Sequence, residues 1–127
     1  MNGPLVLTYN LDALTDAGLR AVCRAQGIRV RAVAPSEYAL PVGALAGIPV
    51  APRPEGAPPD RFGDAMLVMC HMLSPQLDAF LQGLRDGGVP RVALKAILTP
   101  FNVGWNSAQL RDELARERDA VREGGKR

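Results

Sequence analysis

One short segment of the chain, Ala65-Met-Leu-Val-Met-Cys70, is apolar at every position. A strand with two apolar faces must be covered on both, as in the centre of a sheet that lies between two layers of helices. A second apolar run, over residues 5–9, has the same character. These two runs predict central strands, and they disfavour a sheet with one face in water.

The segments between and after these runs alternate between helix and strand patterns. Apolar residues recur at helical spacing over residues 12–27 and 74–88. Strands are predicted over residues 28–33, where arginines alternate with apolar side chains, and over residues 89–98. A charged helix is predicted after Asn106. Each helix has a predicted N-cap: Asp12 or Thr15 for the first, Ser74 for the second and Asn106 for the last.

The strand-helix-strand pattern occurs twice along the chain, and this pattern is typical of right-handed crossover connections. We therefore predict an α/β fold, a small three-layer sandwich with four mainly parallel strands in the order 2-1-3-4 and helices on both faces. A ferredoxin-like α+β fold is the alternative, because the long connection before the third strand permits antiparallel pairing. Residues 1–123 are expected to form a single domain, with a proline-rich loop insertion over 35–64 and a frayed tail over 124–127.

The composition disfavours several classes of protein. A net charge of +2 on 127 residues, with scattered arginines and few aromatic residues, argues against nucleic-acid binding. An apolar run long enough to span a membrane is not present in the sequence, and we expect a cytoplasmic protein. One histidine and two cysteines are too few for a zinc site. We expect neither a metal nor a cofactor, since no glycine-rich phosphate loop follows a strand.

Polar residues follow three of the predicted strands. In a parallel sheet the carboxyl ends of these strands would meet at one rim, the usual place for a ligand. That rim would contain Thr8, Tyr9 and Asn10, then His71 and Ser74, then Thr99 and Asn102. His71 is a weak candidate for a general base, because imidazole is the side chain that titrates near neutral pH. The alternative is a rim histidine that is bonded to the backbone.

Lys95 lies in the middle of the apolar run 92–98. A charge in such a place is costly unless it is paired or reaches water. In a structural interpretation, Asn102 bonds its own turn, Trp105 covers the end of the sheet, and Lys95 reaches an acidic partner. In a functional interpretation, Lys95, Thr99 and Asn102 converge on an anionic or carbonyl-bearing ligand beside the Trp105 ring.

The segment Lys95-Ala-Ile-Leu-Thr-Pro-Phe-Asn-Val-Gly-Trp105 resembles the signature of a family of uncharacterised bacterial proteins. Its members tend to have Lys-Ala-x-Leu-Thr-Pro-x-Asn-x-x-Trp before a charged C-terminal helix. The resemblance covers about eleven residues closely and the order of elements loosely. It implies membership of a family of unknown function and no particular activity.

Two functions from different classes fit these observations. The first is a non-catalytic binding or protein-interaction module, a homodimer through its C-terminal helix, with a polar rim that takes a partner or a small anionic ligand. The second is a small enzyme in which His71 acts as base and Lys95 as electrostatic stabiliser. They differ in geometry, because catalysis requires Lys95 and His71 to open into the same pocket.

Overall fold

A computed structural model describes residues 3–50 and 62–124, with side chains described as far as residue 120. Strands and helices alternate along the chain. In chain order they are β1 (Leu5–Tyr9), α1 (Ala13–Gln26), β2 (Arg29–Ala32), α2 (Val42–Leu45), β3 (Met66–Cys70), α3 (Ser74–Asp86), β4 (Leu94–Ile97) and α4 (Ser107–Gly124). A 3₁₀ turn over Pro35–Glu37 precedes α2.

The four strands form one sheet in the order β2-β1-β3-β4, which confirms the predicted order. β2 is parallel to β1 and β4 is parallel to β3, so two of the three pairings are parallel. The central pair, β1 and β3, is antiparallel. The connection over residues 33–65 is long enough for β3 to pair with β1 in either direction, whereas a short crossover would allow only one direction. The ferredoxin-like alternative would require β2 and β3 to be neighbours, and in this sheet they are not.

Helices cover both faces of the sheet, as predicted. All five residues of β1 and all five of β3 are buried, which agrees with their continuous apolarity. On one face, α1 and α3 cover a core that includes Leu19 and Phe80. On the other face, α2 and α4 cover a core that includes Leu45 and Leu110. Burial of each such side chain contributes about 1.5–3 kcal/mol to stability, so the two layers are held mainly by apolar contacts.

The two strand-helix-strand units are related by an approximate twofold axis perpendicular to the sheet. The axis passes between β1 and β3, where the ladder pairs Leu5 with Cys70 and Tyr9 with Met66. Both crossover helices lie on the same face, as this rotation requires. β2 and β4 follow the same relation, so the second residue of β2, Val30, is equivalent to the second residue of β4, Lys95. The first half of the chain therefore supplies an internal reference for the second.

Turns at equivalent positions repeat in detail. The first residue after β1, Asn10, and the first after β3, His71, both have a left-handed backbone, with φ of 54° and 60°. This region is unfavourable for residues other than glycine, so its occurrence at both positions indicates that the loop geometry requires it. After β2 the Glu37 carboxylate accepts a hydrogen bond from the backbone N–H three residues earlier, and after β4 the Asn102 carboxamide does the same.

The helix caps agree with the sequence at two of three positions. The Asp12 carboxylate accepts a hydrogen bond from a backbone N–H at 2.7 Å. Asn106 and Gln109 exchange side-chain-to-backbone bonds at 2.8 and 2.9 Å, a capping box that begins α4. Ser74 is not an N-cap, because α3 begins at Ser74 itself and Leu73, which has no side-chain acceptor, occupies the cap position.

The fourth strand is shorter than the sequence predicts. It was expected over residues 89–98 and is observed over Leu94–Ile97. Pro90 has no N–H to donate to a ladder, and Val92 is buried in the core on the α1 and α3 face without being in a strand. Residues 87–93 therefore form a loop whose apolar side chains resemble a strand only in composition.

The proline-rich region contributes to the core where it is described. Tyr38, Val42 and Leu45 are buried against the sheet on the α2 and α4 face. The short helix α2 lies in this region, which was expected to be a loop. Residues 51–61 of the predicted loop and residues 125–127 of the predicted tail lie outside the described residues.

Candidate functional site

The residues of the predicted rim lie at two opposite ends of the sheet. Because β1 is antiparallel to β3, the carboxyl end of β1 is beside Met66, at the beginning of β3. Tyr9 and Asn10 are therefore at one end of the sheet, and His71 and Thr99 are at the other. The expectation of a single rim fails because it required β1 and β3 to run in the same direction.

Tyr9 has a structural environment. Its side chain is fully buried, and its hydroxyl oxygen is 2.7 Å from the Ser107 Oγ at the beginning of α4. Burial raises the pKa of the Tyr9 phenol well above its usual range, and the Ser107 hydrogen bond only partly offsets this effect. This pair joins the end of β1 to α4 and presents no group to solvent.

Asn10 holds the segment 62–64 in place. Its side-chain amide donates to the carbonyl oxygen of Phe62 at 2.8 Å and to that of Asp64 at 3.0 Å. The Phe62 ring then stacks on Tyr38, with ring centroids 4.5 Å apart and an angle of 17° between the planes. An aromatic side chain on a segment outside the helices and strands thus packs beside the end of β1. Sequence reasoning missed Phe62 because nothing in the chain pattern indicates where it packs.

Asn102 and Trp105 form the turn that the structural interpretation predicts. The Asn102 carboxamide accepts from the Thr99 N–H at 2.9 Å and donates to the Ile97 carbonyl at 3.0 Å. Trp105 packs against the core beside α4, and its ring meets the exposed Phe101 edge-on at 5.4 Å. Both polar ends of the Asn102 side chain are occupied by the backbone.

Lys95 lies on the opposite face of the sheet from Trp105. It is paired with Leu67, whose side chain belongs to the core under α1 and α3, whereas Trp105 packs against the other core. Side chains alternate between faces along a strand, and the turn after β4 carries the following residues to the other side. The structure therefore does not bring Lys95 together with Thr99, Asn102 and Trp105, and their role as ligand-binding residues stays a prediction.

The remaining rim residues border an open groove at the carboxyl ends of β3 and β4, which we call the rim groove. Its volume is about 520 Å³, within the range of sites for small ligands and side chains. Apolar side chains dominate its wall. The lining residues are Ile48, His71, Met72, Leu73, Ile97, Leu98, Thr99, Pro100 and Val103.

His71 is the titratable side chain of the rim groove. Its Nε2 lies 3.1 Å from the Ala46 carbonyl oxygen, so Nε2 carries a proton and donates, which agrees with the prediction of a rim histidine bonded to the backbone. In neutral His71 the other ring nitrogen, Nδ1, is then an acceptor. The preceding residue, Cys70, is fully buried, and burial raises the pKa of its thiol to about 12. A thiolate beside His71 is therefore not formed near neutral pH.

The lining of the rim groove includes the residues equivalent to two that hold Phe62 in the first half of the chain. The twofold relation makes Asn10 equivalent to His71, and both have a left-handed backbone. It also makes Tyr38 equivalent to Val103, because each lies one residue beyond the acceptor side chain of its turn. Asn10 and Tyr38 are the residues that hold the Phe62 segment, whereas His71 and Val103 line an open groove. The two halves therefore differ in what borders this place: an aromatic ring at Tyr38 in the first half and a smaller side chain at Val103 in the second.

His71 and Lys95 line separate cavities on opposite faces of the sheet. The arrangement of base and stabiliser around one substrate is therefore not formed. Within residues 3–50 and 62–124, His, Cys, Asp and Glu do not gather in any group of three that could hold a metal ion. Across the same residues, every helix is too short or too polar to cross a bilayer.

Residues 65–121 match a family model that is described as a domain of unknown function (DUF3783). The matched range contains the second strand-helix-strand unit, the rim groove residues His71 and Thr99, and most of α4. It also contains the segment 95–105, and the match supports the expectation of an uncharacterised domain of unknown function, without bearing on the signature itself. The chain matches no curated protein and no solved structure.

Proposed function

We propose that this chain is a non-catalytic protein-interaction module whose rim groove binds an aromatic side chain on an extended segment of a partner protein. One observation carries the proposal: in the first half, the equivalent residues Asn10 and Tyr38 already hold an aromatic side chain, Phe62, and the backbone around it. The two grooves share strand ends, turn geometry and a left-handed first loop residue. The Phe62 segment is therefore a physical model for a ligand of the rim groove.

The chemistry of the rim groove suits this occupant. Aromatic rings gain most from burial against apolar walls, and their contacts with other side chains add to this gain. The groove wall is apolar along Leu98, Val103 and Ile48. His71 Nδ1 offers an acceptor for a backbone N–H of an extended segment, in the place where Asn10 bonds the Phe62 segment. A short segment with one aromatic anchor needs no more than these contacts.

Exposed apolar side chains around the groove support a docking role. Leu73 is 80% exposed and Ile97 is 45% exposed, and both line the groove. Phe101, at 81% exposure, follows directly on the lining residue Pro100. A group of apolar side chains around a concave site is typical of protein-interaction surfaces, whereas single exposed ones are ordinary.

The proposal is tested by selecting binders from a phage-displayed library of random heptapeptides on the immobilised chain. We expect the enriched peptides to share an aromatic residue. The variant Leu73→Glu should weaken their binding by at least about tenfold, because a carboxylate would have to be desolvated beside the bound ring.

Leu14→Glu is the matched control. Leu14 is 73% exposed but lies on α1 and does not line the groove, so the same substitution there should leave peptide affinity unchanged. Enriched peptides without aromatic residues, or equal losses in the two variants, would refute the proposal.

Self-association through α4 is a further part of the proposal. The described part of α4 has ion pairs on its surface, such as Arg116 with Glu113 and Arg118 with Asp119. Both pairs lie within the helix, so they stabilise α4 itself. Light scattering coupled to gel filtration should show a dimer, and a monomer at every protein concentration would contradict this part of the proposal. We place the protein in the cytoplasm, where its two unpaired, buried cysteines would stay reduced.

A further inference from the structure

A second cavity lies on the other face of the sheet, around Lys95. It has a volume of about 410 Å³ and is bordered by α3, the loop over residues 87–93 and β4. We call it the lysine pocket. Its lining is mainly aliphatic, with three cationic side chains, and consists of Leu19, Leu67, Leu81, Leu84, Arg85, Val89, Pro90, Arg91, Val92 and Lys95.

The three cations of the lysine pocket lack acidic partners in the described part of the chain. Lys95 Nζ donates to the Val92 carbonyl at 2.7 Å, which leaves ammonium hydrogens for another acceptor. Arg85 bonds the side chain of Gln82, and the ion pairs formed by described residues include none of the three cations. Desolvation and then the charges of Arg91 and Arg85 lower the pKa of Lys95. The pocket is therefore positively charged and ready to accept an anion.

The first half of the chain shows that the fold does not need this pocket. The residue equivalent to Lys95 is Val30, so an apolar side chain satisfies the same place in the sheet. In the first half, residues 27–28 alone join the helix to the following strand, whereas residues 87–93 do so in the second half. That longer loop supplies Val89 and Arg91 to the pocket wall. The lysine, the longer loop and the cavity therefore occur together in the second half, and this combination distinguishes it from the first half.

We propose that the lysine pocket binds a small amphiphilic anion, with a single anionic head on an aliphatic body. The head would lie between Lys95 and the two arginines, where it meets the positive charge that the described residues leave unbalanced. The body would lie against Leu81, Leu84 and Val89. A carboxylate or a phosphate monoester fits the head position, and the aliphatic wall excludes a ligand that is polar throughout. This site is distinct from the rim groove and takes a different ligand.

The probe is octanoate, titrated into the ¹⁵N-labelled chain and followed by amide chemical shifts. We expect shifts concentrated over residues 84–95 and none at the rim groove. Across butyrate, hexanoate and octanoate, affinity should rise by about fourfold for each methylene that enters the pocket. Octyl phosphate distinguishes the head group, since tighter binding than octanoate would assign the site to a phosphate monoester. Octylamine, of the same length and opposite charge, should not bind.

Lys95→Met keeps the aliphatic stem and removes the charge, so octanoate should bind at least about tenfold more weakly, the effect of losing one charged hydrogen bond. Arg91→Met tests the same charge from an exposed position where folding is not at risk, and it should also weaken binding. Arg24→Met is the control, because Arg24 is exposed on α1 and does not line the pocket. Equal affinity for butyrate and octanoate, shifts elsewhere, or losses no larger than in the control would overturn the proposal.

Discussion

Replacing Phe62 by alanine measures how strongly the groove of the first half holds its aromatic side chain. Complete burial makes a Phe→Ala substitution cost about 3–5 kcal/mol. Phe62 is only partly buried, but it stacks on Tyr38 at 4.5 Å and meets Tyr9 at 5.8 Å. We expect the substitution to lower the free energy of unfolding by about 2–3 kcal/mol.

Phe101→Ala is the matched control for this prediction. The Phe101 side chain is 81% exposed and touches Trp105 only at its edge, so its loss should cost at most about 1 kcal/mol. Urea unfolding should be followed by far-ultraviolet circular dichroism, because removal of Phe101 would alter the fluorescence of Trp105. The Phe62→Ala midpoint should fall by roughly 1–2 M urea. Equal losses in the two variants would show that the groove contributes little, and the inference drawn from it for the rim groove would fail.

Three further predictions concern single side chains. Asn102→Ala leaves two backbone groups without partners, so it should cost about 2–3 kcal/mol in urea unfolding, and a loss below about 0.5 kcal/mol would contradict this role. The Thr15 backbone N–H lowers the pKa of Asp12, so the stabilisation is present above the usual value of 3.8 and is lost as the pH falls through the lowered value. Thermal unfolding should therefore show Asp12→Ala to be less stable at neutral pH and equal to the parent in strong acid; a gap that persists in acid would contradict it. Burial raises the pKa of Cys70 to about 12 and that of Cys23 to about 11, so a thiol reagent should label neither before urea is added, and rapid native labelling would contradict their burial.

The sequence predicts the architecture well where local physics decides it. Continuous apolarity identifies β1 and β3 as central strands, and helical spacing with capping residues places α1 and α4. These features depend on neighbours in sequence, so a pattern along the chain contains them. The pairs β1–β2 and β3–β4 follow because each short crossover restricts the next strand to an adjacent parallel position.

The direction of β3 relative to β1 is not predictable in the same way. The connection over residues 33–65 is long enough for either direction, and no local signal chooses between them. This one choice separates Tyr9 and Asn10 from His71 and Thr99. The structure therefore brings together only part of the predicted rim, because the residues of a ligand site depend on which strand ends lie at the same edge of the sheet.

The environment of Lys95 could not be predicted from the sequence either. Alternation along β4 places it on the face opposite Leu94 and Ala96, but alternation does not show where the turn after β4 carries Thr99. The strand ends at Ile97, and the turn redirects the chain. The internal twofold relation was missed as well, since it rests on backbone geometry at Asn10 and His71 more than on shared residues.

The most direct test of the proposed function is the position of the aromatic ring of a selected peptide on the protein. Isotope-filtered nuclear Overhauser spectra of the labelled chain with unlabelled peptide measure this position. We predict contacts from the ring to the methyl groups of Leu73, Leu98 and Val103, which line the rim groove. Contacts to side chains near Asn10, or to α3 and the lysine pocket, would contradict the proposal that the open groove of the second half receives an aromatic side chain.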